Sequence, residues 1–158
     1  HDQLKSEESA QIIIGHVING IELANKHKLP DQIIDFIRIH HGTTKTRYFY
    51  ENHKRENPGI EIEDYKFTYP GPIPFSKEGA VLMMADSIEA ASRSLKRPTP
   101  ETIGNLIDSI IGNQISENQF INANITFRDI SEIKKILKRK LTNIYHMRIE
   151  YPKGGTTA

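Results

Sequence analysis

The chain contains no cysteine among its 158 residues. That excludes disulfides, thiolate zinc sites and a cysteine nucleophile. Any metal it binds must be held by His, Asp or Glu, a donor set suited to iron, manganese, zinc or magnesium. Charge of one sign is lacking too: 21 Lys and Arg oppose 20 Asp and Glu, a balance of +1. So weak a bias gives no electrostatic footprint for a nucleic-acid polymer. No run of about 18 apolar residues occurs, so no segment reads as a membrane-spanning helix. No glycine-rich phosphate loop and no G-x-S-x-G elbow is found, which removes the chemistries those motifs support. No secretory signal is visible. The first residue is His1 rather than Met, and "KGGTTA" closes the chain at 153–158. The chain therefore reads as a fragment or processed form with a disordered tail or expression remnant.

What is present is helical. Hydrophobic residues make up 37% of the chain, enough for one domain with its own core. Over residues 6–27, Glu7 and Glu8 suit a first turn. Ile13, Val17, Ile21 and Ala24 then recur at helical spacing, with Ile14 and Ile18 widening the stripe. A second helix is expected from Asp31 to about His41, stopped by Gly42. Residues 43–75 break the pattern with four prolines, four tyrosines and three phenylalanines. Part of "RYFYENHKRE" extends as helix, and "IEI" at 60–62 suits a short extended piece. The rest is a long aromatic loop, either packed or serving as a lid or substrate wall. Further helices are expected over 76–96, capped by Ser76, over 99–115, capped by Thr99 with Pro100 behind it, and from Thr126 to about Tyr145. The basic "KKILKRK" face of the last helix reads as solvated.

Four ionisable residues lie on apolar faces. His16 follows Ile12 and Ile13 by one turn and precedes Gly20 and Leu23, so it points inward, as a hydrogen-bonded core histidine or as a ligand. Gly20 leaves space near its ring. In "FIRIHHGTT", His40 shares a face with Ile33, Phe36 and Ile37, and His41 is its immediate neighbour. Adjacent helical residues diverge by about 100°, but Gly42 lets the last turn loosen and the rings converge. Buried histidines need partners, and a metal accepts the lone pair of each neutral imidazole. Asp86 stands within "VLMMADSIEAA", where a carboxylate is costly unless it pairs with Arg93 or binds a metal. Three imidazoles and a carboxylate facing one interior suit a first-row transition metal that activates water for hydrolysis.

The segments "GHVINGIELANKHKLP", "IIDFIRIHHGTT", "YPGPIPFSKEGAVLMMADSIEAASRSLKRPTPE" and "IYHMRIEYP" resemble the HD domains of PgpH-type, membrane-anchored cyclic-di-AMP phosphodiesterases. The resemblance covers about residues 1–152. It implies an all-α, HD-domain-like helical bundle with a two-metal site, iron or manganese, that cleaves cyclic di-AMP to pApA. It implies that His16, His40 and His41 bind one metal and that Asp86 closes the other. The family pattern also needs an upstream His and a His-Asp pair whose aspartate bridges both metals. His1–Asp2 is not that pair, so the bundle is truncated on its N-terminal side and the chain alone is expected to be inactive. The expected partner is a cyclic dinucleotide, with Tyr48, Tyr50, Tyr69 and Arg93 as candidate contacts or as packing residues. Membrane attachment would come only through upstream segments, with the domain itself cytoplasmic. Rival readings are an HD phosphohydrolase of a dNTP or an alarmone, a non-catalytic nucleotide sensor, and a plain helical interaction module.

Overall fold

The computed structural model describes residues 5–149, with backbone only for 147–149. His1–Asp2 and the 153–158 tail lie outside the described residues. Six helices follow one another: α1 (Ser6–Lys26), α2 (Asp31–Ile39), α3 (Arg47–Glu56), α4 (Lys77–Ser92), α5 (Pro100–Ser116) and α6 (Phe127–Ile149). A single 3-10 turn, Asp64–Phe67, interrupts the α3–α4 connection. Among the described residues no strand forms, and the only bridge joins Lys45 to Thr68. The fold is all-α, as the periodicity requires.

Helix starts follow local chemistry. The Ser76 hydroxyl accepts from Gly79 N at 3.0 Å and opens α4. Thr99 and Thr102 cap each other reciprocally in front of Pro100 and open α5. Asp129 N donates to Thr126 Oγ1 at 3.1 Å, while Thr126 N donates back to the Asp129 carboxylate, and α6 begins there. Two helix ends differ from expectation. α4 stops at Ser92 rather than near 96: Leu95 N turns back to Ser92 O at 3.1 Å, and the Tyr145 hydroxyl donates to the same carbonyl at 2.7 Å. α2 stops at Ile39, so His40 and His41 sit in the turn that follows the helix rather than in it.

The main core lies between α4, α5 and α6, where Met83, Met84, Ile103, Ile107, Ile111 and Ala123 are almost fully excluded from solvent. A smaller cluster joins Ile14 and Val17 of α1 to Tyr69. Between them, Gly79 of α4 lies against Ile39 at the end of α2, where any Cβ would strike the Ile39 side chain. The segment between α3 and α4 is packed down. Phe67 is fully buried, with the Tyr50 ring edge-on at 5.6 Å and the His53 ring tilted against it at 5.1 Å. Thr46 N donates to Phe67 O at 2.8 Å, and Tyr69 N to Thr44 O at 3.0 Å. Ile60–Ile62 joins no ladder. Ile18, expected to widen the buried stripe of α1, is half exposed on the far side.

Substituting Ile111→Ala, at a fully buried site in the main core, is expected to cost about 2–5 kcal/mol in urea unfolding. Thr99→Ala, which removes the α5 cap, should cost about 1 kcal/mol.

Candidate metal centre

Three imidazoles meet where α1 passes the end of α2. His16 of α1 donates Nδ1–H to Ile13 O, one turn back in its own helix. His40 does the same to Ile37 O at 2.7 Å. A carbonyl can only accept, so each bond fixes the Nδ1–H tautomer and leaves Nε2 with an unshared lone pair. The two Nε2 atoms face each other at 3.2 Å. With both rings neutral and protonated at Nδ1, these two atoms are both acceptors, an arrangement that a cation would stabilise. Nitrogens bound to a tetrahedral metal at about 2.0–2.1 Å stand about 3.4 Å apart, close to the spacing found.

His41 completes the group. Its ring lies 4.0 Å from that of His40 and 5.0 Å from that of His16, centroid to centroid. One ligating atom from each of the three falls within 4.8 Å of the others. Tyr69 stacks on His41 at 4.2 Å and 22° and meets the edge of His16 at 6.1 Å. Burial first, then the neighbouring His40 and His16 rings, hold the His41 pKa down at about 3, from an ordinary 6.5. Its lone pair therefore stays available at neutral pH. Asp86 of α4 sits beside it, with Oδ2 3.7 Å from His41 Nδ1, beyond hydrogen-bond reach. The donor set of imidazoles with a carboxylate alongside fits a divalent transition metal.

Several expectations need correction. His16 does not point into the core of the described chain; it is exposed. The buried stripe of α1 runs through Ile14, Val17 and Ala24, and His16 lies about 100° round from Val17. Its flanking residues Ile12 and Leu23 are likewise more than half exposed. Gly20 does not leave room for a ligand, because a Cβ there would press on Ile37 Cγ2 at 3.0 Å. It is a close-packing point between α1 and α2. Asp86 is not buried, with its side chain 41% exposed, and it does not pair with Arg93. Arg93 instead grips Glu89 through two bonds of 3.1 and 2.8 Å.

Of the four aromatic and basic candidates, only Tyr69 reaches the histidines, and it is buried as their backing. Burial and then the Asp86 carboxylate push its pKa up to about 12. Tyr50 is held by Lys45 over its ring at 4.9 Å and by Asp64 at its hydroxyl. Tyr48 is largely exposed, edge-on to Phe49 at 5.2 Å. Sequence reasoning missed Gln119, a buried amide that binds Thr43 from 76 residues away. No pattern in "ENQF" signals it.

Exposed apolar side chains share the helix faces that bear the histidines and Asp86. Ile12 precedes His16 by one turn and Leu23 follows it by two; Ile33 precedes His40 by two turns, and Leu82 precedes Asp86 by one. All four are exposed among the described residues.

The His41 pKa sets a pH dependence. The unfolded chain takes up its proton near 6.5 and the folded chain only near 3. The folded state thus binds fewer protons in that window, and stability is lost as pH falls through it. Urea midpoints of the metal-free chain should fall between pH 7 and pH 4, and His41→Gln should flatten that fall.

No family model matches the chain. It is 40% identical over 154 residues to the cyclic-di-AMP phosphodiesterase PgpH of Bacillus subtilis. It is 41% identical over 152 residues to the protein of the same name from Listeria monocytogenes. The alignments take in 98% and 96% of this chain but only 21% of the length of each relative. A crystal structure of the L. monocytogenes phosphodiesterase PgpH HD domain in complex with cyclic-di-AMP matches with a TM-score of 0.86 at 39% identity. That match covers 92% of this chain and 67% of the other. The chain therefore belongs to the PgpH family, and the part of the family that it matches is the HD domain.

Proposed function

We propose that this chain supplies the three-imidazole half of a two-metal phosphodiesterase centre, in a protein that hydrolyses cyclic di-AMP to pApA. The observation that carries this reading is the pair of Nε2 lone pairs facing at 3.2 Å, each aimed by its own helix carbonyl. His16, His40 and His41 would hold one metal, taken as iron or manganese from the family resemblance because an imidazole set alone suits several first-row metals, and Asp86 would serve the second. A bound divalent metal supplies positive charge for the scissile phosphate and lowers the pKa of a water molecule. The chain's own residues do the rest. His41 stays neutral through burial and presents nitrogen rather than a proton. Tyr69 fixes the plane of its ring by stacking on it. Asp86 keeps one carboxylate edge open to the site.

The remaining ligands, including a bridging aspartate, would come from the part of the domain that this chain does not cover. The exposed Ile12, Leu23, Ile33 and Leu82 support that reading, because apolar side chains on the faces that bear a polar cluster suit packing against further protein. The chain by itself, residues 1–152 with its tail, is accordingly incomplete as a catalyst. Among the described residues no helix is long and apolar enough to cross a membrane. Attachment to a membrane, with this domain on the cytoplasmic side, would fall to segments outside the chain. A cyclic dinucleotide is the substrate proposed because a solved relative was crystallised with cyclic-di-AMP. Tyr48 offers an open ring face on which a base can stack. Arg93, exposed at the end of α4, offers charge to a phosphate.

The test uses the intact protein loaded with manganese or iron, assayed for conversion of cyclic di-AMP to pApA. His40→Ala and His41→Ala should each lower kcat/KM by more than about 100-fold, beyond the 10–100-fold typical of outer-shell changes. Preference for a dNTP or an alarmone over cyclic di-AMP would overturn the substrate assignment. Robust metal-dependent turnover by the 158-residue chain alone would overturn the view that it is incomplete.

A further inference from the structure

We infer that Gln119 is the positioning residue of the three-histidine site: it holds the turn after α2 in the shape that lets His40 and His41 converge. The inference rests on the metal-binding reading above and adds a residue to it from the other half of the chain. His40 and His41 fall just past the end of α2, and Gly42 follows them at φ +52°. Local bonds close that turn on itself. Gly42 N donates to Ile39 O at 2.9 Å, and the Thr44 hydroxyl donates to His41 O at 2.7 Å. They do not tie it to anything outside.

Two contacts from elsewhere do: Tyr69 N, just past the 3-10 turn, donates to Thr44 O at 3.0 Å, and Gln119 reaches Thr43 from the second half of the chain. Gln119 Oε1 accepts from Thr43 N at 3.0 Å, and its Nε2 donates to Thr43 Oγ1 at 3.0 Å and to Glu117 O at 3.1 Å. Although its partner Thr43 lies at the surface, Gln119 is 2% exposed, so its amide is costly to leave unpaired. Its own backbone is anchored where α5 ends: Asn118 turns at φ +58°, and Gln119 N donates to Gln114 O at 3.0 Å. The fit is mutual. A Cβ on Gly42 would run into Gln119 Oε1, so the absent side chain is what admits the amide. The result is a two-residue step, His41 to Thr43, bolted at its far end to the α5–α6 connector.

A residue that merely stabilises the fold would lower the melting temperature without selective effect on the histidines. A positioning residue weakens the metal site out of proportion. The test is a cobalt(II) titration of the purified chain followed by visible absorption, with melting temperatures recorded in parallel. Gln119→Met keeps the length and loses the hydrogen bonds; it should weaken cobalt binding by about 10–100-fold, the range for residues that orient ligands. Gln119→Glu retains acceptors for Thr43 N and should restore much of the affinity. Ile107→Val, in the main core and away from the turn, controls for stability: its melting temperature should fall while its cobalt affinity stays that of the unsubstituted chain. Equal affinity in Gln119→Met and the unsubstituted chain would overturn the inference, as would an equal loss in Ile107→Val. If Gln119→Met does not fold, Gln119→Leu decides, since it too removes both the acceptor for Thr43 N and the donor to Thr43 Oγ1: a weaker cobalt site supports the role and an unchanged one refutes it. A chain that gives no cobalt spectrum sensitive to His40→Ala would instead refute the metal reading itself.

Discussion

Two hydrogen bonds from imidazole Nδ1–H to the carbonyl three residues back set the character of this structure. They are made within α1 and at the end of α2, and they need no partner from elsewhere. Each removes one ring nitrogen from play and aims the other. Once the helices cross at the Gly20–Ile37 contact, two basic lone pairs meet. Everything else at the site either brings a third ring to that meeting or keeps it uncharged. Tyr69 backs His41, burial keeps His41 unprotonated, and Asp86 waits at one side with its carboxylate open.

The surroundings of the two main residues differ in a way that suits a division of labour. His41 is half-buried between Tyr69 and its neighbours, so its environment is already that of a protein interior. His16 stands exposed beside Asn19, on a face that also carries the exposed Ile12 and Leu23. A donor on an uncovered face has an environment that is finished only by whatever packs there. His41 thus finds its surroundings within the chain, whereas the face that bears His16 is open among the described residues.

Much of this was legible from residues alone. The caps at Ser76, Thr99 and Thr126 announce helix starts through bonds that span three residues, and short-range chemistry of that kind survives in any fold. The histidine pair before Gly42 was legible for the same reason. Exposure was less so. Periodicity identifies an apolar face but not what covers it, and the Ile12–Leu23 face of α1 is covered by nothing within the described residues. The Asp86–Arg93 pairing failed because Glu89, one turn from Arg93, offers a nearer bidentate partner. Gly20 could be read as empty space or as contact, and only the position of α2 decides. Gln119 carried no signal at all, since a buried amide in a polar connector looks like any solvated one.

The bond between Thr43 and Gln119 joins residues 76 apart in the chain. Closing so long a loop carries an entropic cost that is repaid only when the segments at both ends are already formed. The helix that bears His16 and the helix leading to His40 can assemble early, as neighbours in sequence. The turn's own bonds and its tie to Tyr69 need nothing beyond the first half of the chain. The bond to Gln119 can form only once the chain extends past residue 119, so the last restraint on the histidine turn is also the last to be synthesised.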